Sequence, residues 1–307
     1  MMLETILSEY DRRQRNHQCG SCEVCSYENY CPKNCENCLD YIHTPLHAPN
    51  GAPDRKYDCP HMADFYTCKY SCRYTSEIIY AIRMMKDLKK LDNLKVLSFG
   101  CGPCTDLFAI DYLRTRNELT FQNFEYRGID YSKKVWENIH ADLSSFSTGD
   151  FKICFFYKNA CDFINIIANK SWVPNLIIFQ YVFSDMQKHS KPNEIIHFKK
   201  VFSDYFNQKV PKESYIVLND INLDNSRGGG RDHFCSLYRK LEGVKEVHGR
   251  FRNENSRSSY YPCGYPYGDN SLGEFPDNKN FFNLIPWQEY SPFNTCASAQ
   301  MLIKKEV

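Results

Sequence analysis

VLSFGCGPCTDL, residues 96–107, passes from a short apolar run through a Gly-x-Gly turn into a helix-forming segment. Glycine has no Cβ, so a strand ending in such a turn lets a ligand approach the backbone closely. Dinucleotides and other adenosine cofactors both use turns of this kind. Two features narrow the choice. The third glycine of the dinucleotide fingerprint is missing, because position 103 is Pro and position 104 is Cys. The next apolar run, in YRGIDYS (126–132), ends at Asp130, where an acid can hold both hydroxyls of a ribose.

Strand and helix patterns alternate around this turn, which predicts a parallel α/β sheet. TSEIIYAIRMMKDLKKL (75–91) carries apolar residues at helical spacing, and KVLSF (95–99) reads as a strand. Further helices are expected at 104–115, 132–145, 161–169, 193–206 and 231–241. Strands are expected at 124–129, 151–157, 175–180, 214–219 and 244–251, with a closing strand within 296–305. Residues 252–294 break the rhythm with ten aromatic rings set among Gly and Pro. A segment of that length and kind reads as a functional loop or lid.

These motifs, in this order, resemble those of the seven-stranded class I S-adenosylmethionine (SAM) methyltransferases. VLSFGCGPCTDL resembles their first motif and GIDYS (128–132) their second, whose acid holds the cofactor ribose. NACDF (159–163) sits where the family places an acid near the adenine, and PNLIIFQYVFSDM (174–186) resembles the fourth strand with its following loop. The resemblance covers roughly 75–307 and implies a Rossmann-like, doubly wound seven-stranded sheet that binds SAM. It implies that Phe99, Gly100, Cys101, Gly102, Asp106, Asp130, Tyr131, Asp162 and Gln180 bind the cofactor. The chain departs from the family pattern at Ser98, where an acid is common, and at Cys104, where a glycine is common and a larger side chain crowds the methionine end. Cys101 and Cys104 also have the spacing of a metal pair, but their place in the turn favours packing of small residues.

Methyl transfer from a sulfonium is an in-line displacement, so a site must position the nucleophile and, where it is protonated, supply a base. Open α/β sheets bind ligands at the carboxyl ends of their strands, which nominates Gln180, Tyr181 and Asp185 after the fourth strand and Asn219 and Asp220 after the fifth. Tyr181, Asp185 and Asp220 are the catalytic candidates, with helix capping or turn formation as the competing role for the two acids. FQYVFSD contains neither the Pro-Pro pair of amino-methylating nucleic-acid enzymes nor a Pro-Cys nucleophile, and Pro262-Cys263 falls in the late segment as a turn. The acceptor atom stays open.

The head of the chain differs sharply. Nine of the sixteen cysteines precede residue 73: Cys19, Cys22, Cys25, Cys31, Cys35, Cys38, Cys59, Cys68 and Cys72. Residues 1–73 show little aliphatic periodicity, so a domain there needs metal or covalent staples. The N-terminus lacks the order of a secretory signal, which favours a cytoplasmic chain and metal over disulfides. C-x2-C pairs at Cys19/Cys22 and Cys35/Cys38, with His61 and the other cysteines, suit two or more zinc ions. The C-x2-C-x2-C spacing of CGSCEVC (19–25) and the C-x3-C-x2-C of CPKNCENC (31–38) keep iron–sulfur as the rival.

A division into a metal-binding module (1–73) and a SAM-dependent methyltransferase domain (74–307) follows. The formal net charge of +1 gives no global pull toward nucleic acid. SRGGGRDH (226–233), with Arg250, Arg252 and Arg257, makes a local phosphate-binding patch or a set of solvated arginines around a packed lid. The sequence therefore points to methyl transfer onto a macromolecule, RNA before protein, aided by the zinc module. The alternatives are a catalytically idle SAM-fold binding or assembly factor and a metal- or redox-dependent sensor.

Overall fold

A computed structural model describes residues 1–17, 27–250 and 298–307. The aromatic segment 252–294, Arg252, Arg257 and Cys19, Cys22 and Cys25 lie outside the described residues.

The fold is a Rossmann-like, doubly wound α/β sandwich. Its strands are β1 (Asn93–Phe99), β2 (Asn123–Asp130), β3 (Phe151–Tyr157), β4 (Leu176–Gln180), β5 (Tyr215–Asp220), β6 (Val244–Arg250) and β7 (Ala299–Lys305). They form one seven-stranded sheet in the order β3-β2-β1-β4-β5-β7-β6. The first five strands pair parallel, and β7 runs antiparallel between β5 and β6. Alternation within single strands feeds two separate cores. Leu176 and Ile178 of β4 point into one, Ile177 and Phe179 into the other. Every residue of β5 is buried, as a strand covered on both faces requires.

Among the described residues nine α-helices flank the sheet. α1 (Met2–Asn16), α3 (Pro60–Met84), α4 (Thr105–Thr115) and α5 (Lys133–Ser144) cover one face. α6 (Ala160–Ile167), α8 (Pro192–Lys209) and α9 (Asp232–Tyr238) cover the other, with α7 (Val182–His189) at its edge. α2 (Cys35–His43) packs on α3 beside a small nucleus of Tyr27, Cys38, Leu39, Ile42, Cys59 and Met62. No helix is long and apolar enough to cross a membrane among the described residues.

The first 84 residues differ most from expectation. Leu3, Ile6, Leu7 and Tyr10 of α1 form one buried helical face, and they bury it against α3, α4 and α5 rather than within a module of their own. The Met2 amide donates to Asp111 at 2.9 Å and the Tyr10 hydroxyl to Asp142 at 3.0 Å. The division expected at residue 73 falls inside α3, and the helix expected at 75–91 begins fifteen residues earlier at Pro60 and ends at Met84. Pro60 starts it well because a first-turn residue needs no amide bond. α7, which the sequence reads as loop, follows β4 with a single intervening residue, Tyr181.

Candidate active site

Strand order reverses between β1 and β4, and a cleft opens there at the carboxyl ends of the strands. It encloses about 1190 Å³ of empty space, part of it open to solvent. The turn after β1 forms its floor. Gly100 and Gly102 both have positive φ, +57° and +46°. A Cβ on Gly100 would lie 3.1 Å from Val182 Cγ2, so glycine is needed there for conformation and for room. Cys104 caps α4 in the left-handed region at φ +62°, a conformation that costs a non-glycine residue about 1 kcal/mol. The side chain the sequence reads as crowding the cofactor instead turns inward and is fully buried.

Asp130 closes the turn from β2. Its carboxylate accepts from the Gly102 amide at 3.0 Å and the Ser132 amide at 2.8 Å. Burial pushes this carboxyl up to about 6, against the downward pull of those amides. Each oxygen keeps a second lone pair for a ligand hydroxyl.

The structure brings most of the expected residues together. Gly100, Cys101, Gly102, Asp106, Asp130 and Tyr131 line the cleft with Gln180, Tyr181 and Asp185. Four do not line it, one being Asn219, which is buried against Glu77. Phe99 packs into the core, its ring stacked 4.8 Å from Phe179. Asp162 is exposed in the first turn of α6, where a negative charge complements the helix dipole. Asp220 is buried and spends its oxygens on backbone: Phe183 at 2.9 Å, Ser184 at 3.1 Å and Ile221 at 2.7 Å. It caps α7, the competing role that the sequence left open for it.

Polar side chains within the cleft lock its walls together. Gln180 accepts from the Thr105 hydroxyl at 2.6 Å and donates to the Tyr74 carbonyl at 2.9 Å, joining α4 to α3. Tyr181 sits at φ +59° and donates its hydroxyl to Glu77 at 2.9 Å. Glu77 is fully buried and also accepts from Asn219 at 2.6 Å. Asp106 accepts from the Tyr126 hydroxyl at 2.9 Å, and burial raises its carboxyl. Asp185 differs from these acids, since its side chain is 55% exposed and its described polar partner is His189 at 3.7 Å.

One wall belongs to the first 84 residues. Tyr66, Tyr70 and Tyr74 recur every four residues along α3, with neighbouring rings 4.8 and 5.1 Å apart. Tyr74 packs 4.3 Å from Tyr181, and Tyr66 meets Tyr57 and Trp136 edge-on at 5.8 Å. His43 shares a 3.0 Å hydrogen bond with the Tyr57 hydroxyl, and burial holds its imidazole down at about 4. Tyr57, Tyr66, Tyr74, His43 and Trp136 all line the cleft. Sequence reasoning missed them. The four-residue tyrosine spacing is visible in DFYTCKYSCRY (64–74), but only a helix starting at Pro60 puts those rings on one face.

The glycine loop lies at the mouth, where a Cβ on Gly228 would come within 3.3 Å of Lys188 Cε. It is closely packed. A Cβ on Gly230 would collide with the Asp220 carboxylate at 2.3 Å, and Arg231 is 1% exposed. Of the two arginines in this loop, Arg227 is the exposed one.

The expected metal ligands of the N-terminal segment that are described are Cys31, Cys35, Cys38, Cys59, Cys68, Cys72 and His61. No three of them converge on one point among the described residues. Cys68 and Cys72 join the core beneath α1, where burial pushes the Cys72 thiol up to about 12. Cys38 accepts from the buried Arg55 at 3.0 Å, and His61 stacks on His17 at 3.3 Å.

No family model and no curated protein matches the chain. Solved structures similar to it include the plantazolicin methyltransferase BpumL in complex with SAH, 12% identical over 99% of this chain and 100% of that one, with a TM-score of 0.47. The plantazolicin methyltransferase BamL, in complex with a triazolic desmethylPZN analog and SAH, is 14% identical over 99% and 100%, with a TM-score of 0.46. A SAM dependent methyltransferase from Archaeoglobus fulgidus is 15% identical over 75% and 94%, with a TM-score of 0.38. The functional reading rests on the cleft's own residues.

Proposed function

We propose that this chain is a SAM-dependent methyltransferase acting on a macromolecule, with RNA as the acceptor class. One observation carries the reading: a glycine turn and a ribose-ready acid at the switch point open directly onto an aromatic-walled chamber. The turn fits the cofactor, since Gly100 and Gly102 present backbone without side chains and Asp130 keeps lone pairs free. When bound, SAM supplies an electrophilic methyl group on its sulfonium.

The chain supplies position and a base. Gln180 and the Tyr181–Glu77 pair hold the tyrosine wall at a fixed distance from the turn. Tyr57, Tyr66 and Tyr74 offer rings on which an unpaired base can stack. Asp185 has no backbone amide on its carboxylate among the hydrogen bonds described, and it lines the chamber. It is assigned the proton of the acceptor. Lys188 within the cleft and Arg227 at its mouth give phosphates local positive charge despite the near-neutral chain. Zinc bound by the N-terminal cysteines remains part of this reading, on the C-x2-C spacing of the sequence.

Calorimetric titration with SAM, followed by incubation with labelled SAM and fractionated cell extract, tests the proposal. Micromolar binding and label in RNA are expected. Label in protein moves the acceptor class, binding without label supports an assembly factor, and no binding removes the enzyme reading.

A further inference from the structure

Beneath the cofactor turn the fold gathers three sulfur and nitrogen ligands from two elements. Cys101 and Cys104 lie three residues apart in the turn, and His140 comes from α5. All three are buried, and their ligand atoms lie within 4.8 Å of one another. Among the described residues they are the one group of His, Cys, Asp or Glu that meets this distance. Cys101 Sγ is 3.7 Å from His140 Nε2. For a zinc ion with a thiolate at about 2.3 Å and an imidazole at about 2.0 Å, the tetrahedral edge between those ligands is about 3.6 Å.

The surroundings fit a ligand trio better than incidental packing. Gly128 makes room for the Cys101 sulfur, which would lie 2.8 Å from any Cβ there. The His140 ring is fixed by stacking on Phe155 at 4.0 Å and 5°. Its Nδ1 shares a 3.0 Å hydrogen bond with the Tyr157 hydroxyl, the outer oxygen partner that orients a metal-bound imidazole. Its Nε2 lies 2.8 Å from the Gly102 carbonyl, to which it donates when no metal is held.

We infer that Cys101, Cys104 and His140 form a metal site of zinc type that couples metal occupancy to the shape of the cofactor turn. Loading releases two thiol protons to solvent and moves the imidazole proton from Nε2 to Nδ1, where it donates to Tyr157. The Gly102 carbonyl must then leave Nε2, and Gly102 is also the residue whose amide holds Asp130. Three protein ligands leave a fourth coordination position for water or another ligand. A reversible disulfide between the two cysteines is the weaker use of the pair, because Cys104 is wholly buried and an exchanging thiol cannot reach it. The site stands or falls independently of whether the cleft takes SAM.

Metal content of the full-length protein, measured by mass spectrometry beside Cys104→Ser and His140→Gln, tests this. Each variant is expected to lose one equivalent of zinc relative to wild type, while any metal held by the N-terminal cysteines is retained. Alkylation of folded wild-type protein gives a second readout that needs no variant. Cys101, the more exposed of the pair, should be protected as purified and labelled at least tenfold faster after chelation. Equal metal in all three proteins, labelling indifferent to chelator, or a Cys101–Cys104 disulfide in unreduced peptides would overturn the site.

Discussion

The cofactor turn and the tyrosine wall face each other across one cleft, yet they are encoded in different ways. The turn is contiguous: eight residues from Phe99 to Asp106 hold its backbone demands, and each demand names a residue type. The wall is distributed over Tyr57, Tyr66, Tyr74 and His43, whose chemistry depends on helix phase and on packing against a distant strand. The turn reads as cofactor chemistry from its own residues. The wall reads as scattered aromatic residues until α3 is seen whole.

Predictions that break or sharpen this contrast begin with the joint between the two. Glu77→Ala removes the acceptor of the Asn219 side-chain amide N–H and of the Tyr181 hydroxyl in a buried setting, which costs about 3 kcal/mol of stability. Chemical denaturation measures it, and a loss below about 1 kcal/mol removes Glu77 as the joint. On the turn side, Gly100→Ala forces a side chain into positive φ and against Val182, at about 2 kcal/mol. SAM affinity should fall about thirtyfold with the fold intact by circular dichroism.

On the wall side, Tyr74→Ala and Tyr66→Ala should lower methylation about tenfold, since one stacked base contributes about 1–2 kcal/mol. SAM affinity should stay within about twofold of wild type. If both quantities fall together, wall and turn do not divide acceptor from cofactor. The smallest effect concerns pH. The folded pKa of His43 is depressed to about 4 from 6.5, so its contribution is present above pH 6.5 and lost as pH falls toward 4. His43→Asn should therefore lose about 1 kcal/mol less than wild type between pH 7 and pH 5.5, read from urea titrations at both values.

The same contrast explains what was legible. FKICFFY (151–157) is a run of strand formers, and β3 spans those residues. GIDYS places Asp130 because the strand ends where the acid appears. α7 was hidden because it begins one residue beyond β4, with Tyr181 turning the chain at positive φ and no glycine to mark the turn. Asp220 illustrates a limit of reading acids at strand ends. Only the folded chain reveals that its oxygens meet the amides of Phe183 and Ser184. His140 stands more than thirty residues from its cysteines, so a C-x2-C pair alone reads as packing.

The unbroken run of α3 from Pro60 to Met84 has a consequence for how this protein can vary over time. At about 1.5 Å and 100° per residue, α3 is a rod that keeps Tyr66 and Tyr74 in phase with Glu77. Inserting or deleting one residue between Tyr74 and Glu77 would swing the wall by about a quarter turn relative to the cofactor turn it faces. Under the proposed function, descendants of this chain would change acceptor by exchanging rings along the rod, while its length between those residues stays fixed.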